Sequence, residues 1–124
     1  MIIDLPWAPS VNRYWRHPST GKLAGRHLIS EEGRKYRKAV AVAVRAQFGI
    51  YQPIRRRLSV QITAFPPDHR RRRMNDMAKA VLDSIIHAGV ILGDLQIDRL
   101  VIERLAVIRG GRIVVMIDVI RWPA

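Results

Sequence analysis

Apolar residues recur along this chain with two different periods, and the changes of period mark its elements. Ile2 to Leu5 reads as a short strand that Pro6 ends. Residues 6–28 show no period and contain three prolines and two glycines, so a long irregular loop is expected there. A helix follows. Ser30 suits its N-cap, Glu31 and Glu32 put negative charge in its first turn, and Gly49 marks its end after Phe48. Tyr36, Val40, Ala43, Val44 and Phe48 form its apolar stripe, while Arg34, Lys35, Lys38 and Arg45 face solvent.

The period then drops to two. Leu58, Val60, Ile62 and Ala64 alternate with Ser59, Gln61 and Thr63, a half-buried strand closed by Pro66-Pro67. A second helix is expected to start near Asn75 or Asp76, either of which can cap it, and to bury Met77, Val81 and Ile85 before Gly89. After Val90 to Leu92 and a Gly93-Asp94 turn, a strand runs from about Gln96 to Ile108. Arg109-Gly110-Gly111-Arg112 signals a hairpin into a returning strand, Ile113 to Ile120, whose β-branched run predicts burial on both faces. The expected architecture is α/β: one compact domain over residues 1–124, in β-α-β-α-β-β order, with a mixed sheet and two helices.

Composition adds a partner to this picture. Lys and Arg number 22 against 10 Asp and Glu, for a net charge of +12 in 124 residues. Residues 1–49 carry nine basic and three acidic groups, residues 50–79 eight and two, and residues 80–124 five of each. The excess is therefore confined to the first two thirds, and Arg dominates it, as suits bidentate contact with phosphate. A polyanion such as nucleic acid is the implied partner, and a solubilising surface is the plainer alternative. No apolar run approaches the ~18 residues of a membrane span, and the N-terminus lacks the pattern of a signal peptide. The absence of cysteine excludes thiol catalysis and disulfides and fits a reducing, cytoplasmic setting.

Three constellations carry chemistry. Arg70-Arg71-Arg72-Arg73 leads directly into Asn75-Asp76 at a helix start, where backbone donors add to the positive field. Asp76, Asp83, Asp94, Asp98 and Glu103 supply hard oxygen ligands of the kind Mg²⁺ needs, although Asp76 and Asp94 also sit where plain capping would put them. Lys79, three residues after Asp76, shares its helix face. In the third, Trp7 to Arg16, aromatics interleave with arginines; these side chains suit either stacking on bases or closing the core. The four histidines show no metal-binding spacing, and no Gly-rich phosphate loop is present.

Leu5-Pro6-Trp7-Ala8-Pro9-Ser10-Val11-Asn12-Arg13-Tyr14, Pro67 to Arg72, Lys79 to Asp83, His87 to Val90 and Asp94-Leu95-Gln96 together resemble the RusA family of Holliday-junction resolvases over nearly the whole chain. The resemblance implies a homodimeric, Mg²⁺-dependent endodeoxyribonuclease, with Mn²⁺ as a substitute ion, acting on four-way DNA junctions, with neither a membrane nor a small-molecule cofactor as partner. It places Asp94 on a metal-binding acid and Lys79 on the assisting lysine; with Asn75 keeping an oxygen ligand and Asp76 turning in to replace a lost carboxylate, the expected catalytic set is Asp94, Asp76 and Lys79 and the expected metal set Asp94, Asp76 and Asn75. DNA contact falls to Arg70, Arg71, Arg72, Arg73, Asn12, Arg13, Trp15 and Arg16. The chain departs from the family pattern at two motifs: in the first, the two usual metal-binding aspartates fall on Arg73 and Asn75 and the motif's Asn on Asp76, and in the later one the first acid of the pair falls on Gly93. Two outcomes follow: Asp76 takes over a lost ligand and cutting persists, or Arg73 occupies the place of the cation and the protein binds junctions without cutting them. A basic RNA-binding module is the third reading.

Overall fold

In a computed structural model, which describes residues 1–122, the first strand is β1 (Ile2–Leu5), as expected. The segment expected to be irregular carries three short elements: helix α1 (Val11–Tyr14) and strands β2 (Trp15–Arg16) and β3 (Leu28–Ile29), which pair as a small antiparallel ladder. Elements of two to four residues leave no measurable period. Tertiary contact forms them: the buried Tyr14 accepts Ser30 N–H at its carbonyl (2.9 Å).

Helix α2 (Glu31–Phe48) has the expected ends. The Ser30 hydroxyl accepts the Gly33 N–H at 2.9 Å, and Gly49 leaves the helix at φ +69°. Tyr36, Val40 and Val44 are buried, whereas Phe48, the last residue of the helix, is exposed. Strand β4 (Leu58–Phe65) buries all four residues of its expected apolar set. Helix α3 (Met74–His87) starts earlier than expected: Arg73 is the N-cap, and neither Asn75 nor Asp76 caps. Both lie inside the first turn, where Asp76 still meets the helix dipole favourably. Met77, Val81 and Ile85 are buried, and Gly89 at φ +80° follows the helix. Asp94–Gln96 forms a 3-10 turn before strand β5 (Ile97–Arg104), which is shorter than expected.

The sheet order is β1-β6-β4-β5, with β6 at Arg112–Val119. Strand β5 runs parallel to β4, while β6 runs antiparallel to both β4 and β1. The sheet is thus mixed, as expected, but β5 and β6 do not form a hairpin, because β4 lies between them. Residues 105–111 instead cross the C-terminal end of β4, pinned by Leu105 N–H on Ala64 O and Ile108 N–H on Pro66 O, both 2.9 Å. The diglycine turn is real, at φ +84° and +72°; turn chemistry reverses a chain without choosing the strand it pairs with. Nor is β6 buried on both faces. Ile113, Val115 and Ile117 face the core under α2 and α3, while Met116 and Val119 are exposed.

Candidate nucleic-acid interface and active site

The functional residues gather at the end of the sheet where β4 finishes. Register places Leu5, Ile113 and Ala64 side by side there, so Trp7, Gly111 and the loop from Pro66 to Arg73 become neighbours. Trp7 lies between two surfaces. A Cβ on Gly111 would stand 2.8 Å from the Trp7 Cβ, and the Arg72 guanidinium lies 5.5 Å from the Trp7 ring centroid on a cation-π contact.

Asp68 folds the arginine loop. Its carboxylate accepts the Arg70 N–H at 3.0 Å, an Asx turn, and pairs with Arg72 Nη2 at 2.8 Å. The Arg70 N–H, the Arg72 guanidinium and the neighbouring arginine charges hold this carboxyl below its ordinary range. Arg72 is thereby committed to the loop and to Trp7. Arg71 and Arg73 have no ion pair among the described residues. The sequence reading passed over Asp68 as part of a basic run; an acid two residues ahead of an arginine is the signal that would have found it.

Two connected hollows result. The smaller, about 290 Å³, is lined by Trp7, Ala8, Ser10, Arg71, Arg72, Arg73, Asp76 and Met77. It shares Trp7, Ala8, Ser10, Arg71 and Arg72 with a wider cleft of about 680 Å³, whose far wall adds Arg13, Glu32, Lys35 and Arg70. Of the expected DNA contacts, the structure brings Arg13 and Arg70 to Arg73 together around these hollows. Asn12 and Arg16 are exposed outside them, and Trp15 packs half-buried against the core, edge-on to Tyr14 at 5.1 Å. Lys79 is exposed on α3, one turn beyond Asp76, and Asn75 is exposed beside it.

Behind this end, Tyr14, Arg37 and Asp83 join three helices. The Tyr14 hydroxyl donates to Asp83 Oδ2, and Arg37 Nε donates to the same oxygen at 2.8 Å and to Tyr14 Oη at 2.9 Å. Burial, followed by the hydrogen bond to Asp83, raises the Tyr14 pKa and keeps the phenol protonated. The sequence offers Asp83 as one of several acids and as the end of the Lys79–Asp83 segment of the resemblance, without a role of its own.

Asp94 is elsewhere. Strand β5 begins beside Leu58, at the opposite end of β4 from Ala64. Gln96 fastens the turn there, donating to Ile54 O (2.9 Å) and Arg56 O (2.8 Å) and accepting the Leu92 and Gly93 N–H groups. Helix α3 spans the gap, and from Asp76 to His87 alone it covers about 16 Å at ~1.5 Å per residue. Asp94 and Asp76 therefore do not meet within one chain. No group of three acidic or histidine side chains able to hold a metal exists among the described residues. Arg73 lines the hollow that holds Asp76, so the residues of a single chain do not fit a divalent ion.

The family model described as endodeoxyribonuclease RusA matches residues 6–118. A crossover junction endodeoxyribonuclease of Enterobacteria phage HK97 is 38% identical over 109 residues, covering 88% of this chain and 86% of the relative. The proteins of the same name from Escherichia coli strain K12 and Enterobacteria phage 82 are 35% and 36% identical over 114 residues, 90% of this chain and 88% of each relative.

Proposed function

Since the chain belongs to the RusA endodeoxyribonuclease family, we propose that it is a structure-selective endodeoxyribonuclease that resolves four-way DNA junctions as a homodimer. One observation carries this reading: a carboxylate, Asp76, shares a hollow with Arg71 and Arg73, and that hollow opens into a cleft rimmed by further cations. Phosphates entering the cleft would neutralise Arg13, Lys35, Arg70 and Arg71 and release their counterions. The pair of Trp7 and Arg72 is already ordered, so the cleft floor need not be immobilised when DNA arrives. Lys79 would meet charge developing on the leaving oxygen of a phosphate held by Arg71 and Arg73 next to Asp76. A two-fold dimer would present two such clefts to a junction of matching symmetry, so that opposed strands are nicked in pairs.

The Mg²⁺ that the family resemblance implies has no complete set of ligands in one chain, and this favours a second reading. With Arg73 beside Asp76, the protein would bind the crossover and hold it uncut. A labelled synthetic four-way junction, incubated with and without Mg²⁺ or Mn²⁺, separates the two. Symmetric nicks that need the ion and are absent from linear duplex support the nuclease. Retarded but uncut junctions support the binder. Equal affinity for duplex RNA overturns both.

A further inference from the structure

The small β2–β3 ladder carries chemistry that the cleft does not use. Its register pairs Trp15 with Ile29 and Arg16 with Leu28, so the next rung joins His17 to His27 at the mouth of the loop over residues 18–26. Both side chains are exposed, and their Nδ1 atoms stand 3.2 Å apart. The ring centroids are 4.5 Å apart, farther than the nitrogens, so the nitrogen edges of the two rings converge. The rung has a firm base. The Trp15 ring, half-buried against the core, lies 4.4 Å from the His27 ring, and the Ser30 hydroxyl donates to Tyr14 O at 2.9 Å just before β2 begins. The Gly25 N–H closes the loop on Pro18 O, also at 2.9 Å.

Two imidazole nitrogens bound to one tetrahedral zinc ion at ~2.0–2.1 Å lie about 3.3 Å from each other. The His17–His27 pair already has that separation. Residues 15–29 contain no acid, so a hard ion finds no carboxylate oxygen here. Imidazole instead suits borderline transition ions.

We propose that His17 and His27 form a clip for a divalent transition ion of the Zn²⁺, Ni²⁺ and Cu²⁺ class, and that the ion closes residues 18–26 into a fixed loop. Without the ion, the pair shares one Nδ1–H as a hydrogen bond. When the ion binds, that proton moves to Nε2 of the same ring, both Nδ1 lone pairs become ligands, and water fills the remaining positions. Bridging the two ends of the loop removes conformational freedom from the segment that carries Lys22 and Arg26. No ligand is shared with Asp76, so Mg²⁺ should not compete.

Chains prepared without a polyhistidine tag are titrated with ZnCl₂ or NiCl₂ by calorimetry in excess Mg²⁺. The wild type should take one ion per chain. Binding should be at least about tenfold weaker for His17→Gln and for His27→Gln alike, because each leaves a single imidazole. His69→Gln and His87→Gln should bind as the wild type does. In the wild type itself, Zn²⁺ should move the imidazole ¹⁵N signals of His17 and His27 and leave those of His69 and His87 in place. Tryptic cleavage after Lys22 should slow with the ion in the wild type and in neither loop variant. Undiminished binding in either loop variant, half an ion per chain, ¹⁵N shifts confined to His69 or His87, or cleavage that ignores the ion overturns the proposal. No arm uses DNA, so these results stand whether or not the nuclease reading does.

Discussion

The phenol of Tyr14 is fully buried and bonded to Asp83, Arg37 and Ser84, so one hydroxyl couples α1, α2 and α3. Tyr14→Phe keeps the ring but removes one hydrogen-bond partner from each of Asp83 and Arg37, which stay paired with each other. Loss of about 1 kcal/mol is expected, read as a lower midpoint in urea with an unchanged slope. Asp98 makes a second residue-level prediction. The Arg57 guanidinium, with the Trp122 indole N–H at 2.7 Å, holds its carboxyl down at about 2. A carboxyl whose folded pKa lies below its unfolded value stabilises the fold above the unfolded value, near 4. That contribution fades as pH falls toward 2. Thermal midpoints of the wild type should therefore drop through this window. Asp98→Asn should lie below the wild type at pH 6 and meet it near pH 2. Midpoints that stay equal at pH 6 would show that the exposed pair contributes nothing.

Among the elements, close approach of backbones matters more than propensity. Gly33 sits in the first turn of α2, and a Cβ there would fall 2.3 Å from the Tyr14 carbonyl oxygen, against backbone that has little room to move. Gly111 combines φ +72° with a position where an added Cβ would fall 2.8 Å from the Trp7 Cβ and 3.0 Å from its ring Cγ. Gly111→Ala should lower stability by about 1–3 kcal/mol and tilt the floor of the cleft. Trp7 fluorescence should shift with it, and junction affinity should fall. Gly110→Ala, also at positive φ but in open space, should cost stability while leaving the tryptophan signal unchanged. The comparison separates backbone strain from the fit against Trp7. The helix starts teach a related lesson. Ser30 was readable as a cap because its hydroxyl, the following acids and the apolar stripe agree. The start of α3 was not, because Arg73 caps without a side-chain bond, held by the loop that Asp68 organises.

For the whole molecule, the charge of +12 predicts that the proposed binding to a DNA junction falls steeply with salt. Replacing Arg71 by Ala should flatten the slope of log K against log salt by about 1. Arg72→Ala should do more than remove one charge, since its guanidinium also covers Trp7 and pairs with Asp68; loss of cleft order should accompany the change in slope. Equal effects of the two substitutions on binding and on stability would contradict this division of roles. The basic clustering, the long helices and the alternation of β4 were all open to reading from the chain, because charge and short-period burial are local properties. The partner of β6 was not. Its β-branched run fits any sheet interior, and only the crossing of residues 105–111 over β4 put β1 and β4 on its two sides.

By itself, then, the sequence determined the α/β class, the ends of α2, the apolar faces of β4 and α3, and the clustering of arginines in the first two thirds of the chain. These follow from periodicity and from charge, which act over a few residues and survive any arrangement of the elements. The tertiary structure alone decided that Trp7, Asp68 and Gly111 build the cleft, and that Asp94 and Asp76 stand at opposite ends of one chain. The cause is the parallel β4–α3–β5 crossover, which carries residues close in sequence to opposite edges of the domain. No count of spacings along the chain contains that reversal.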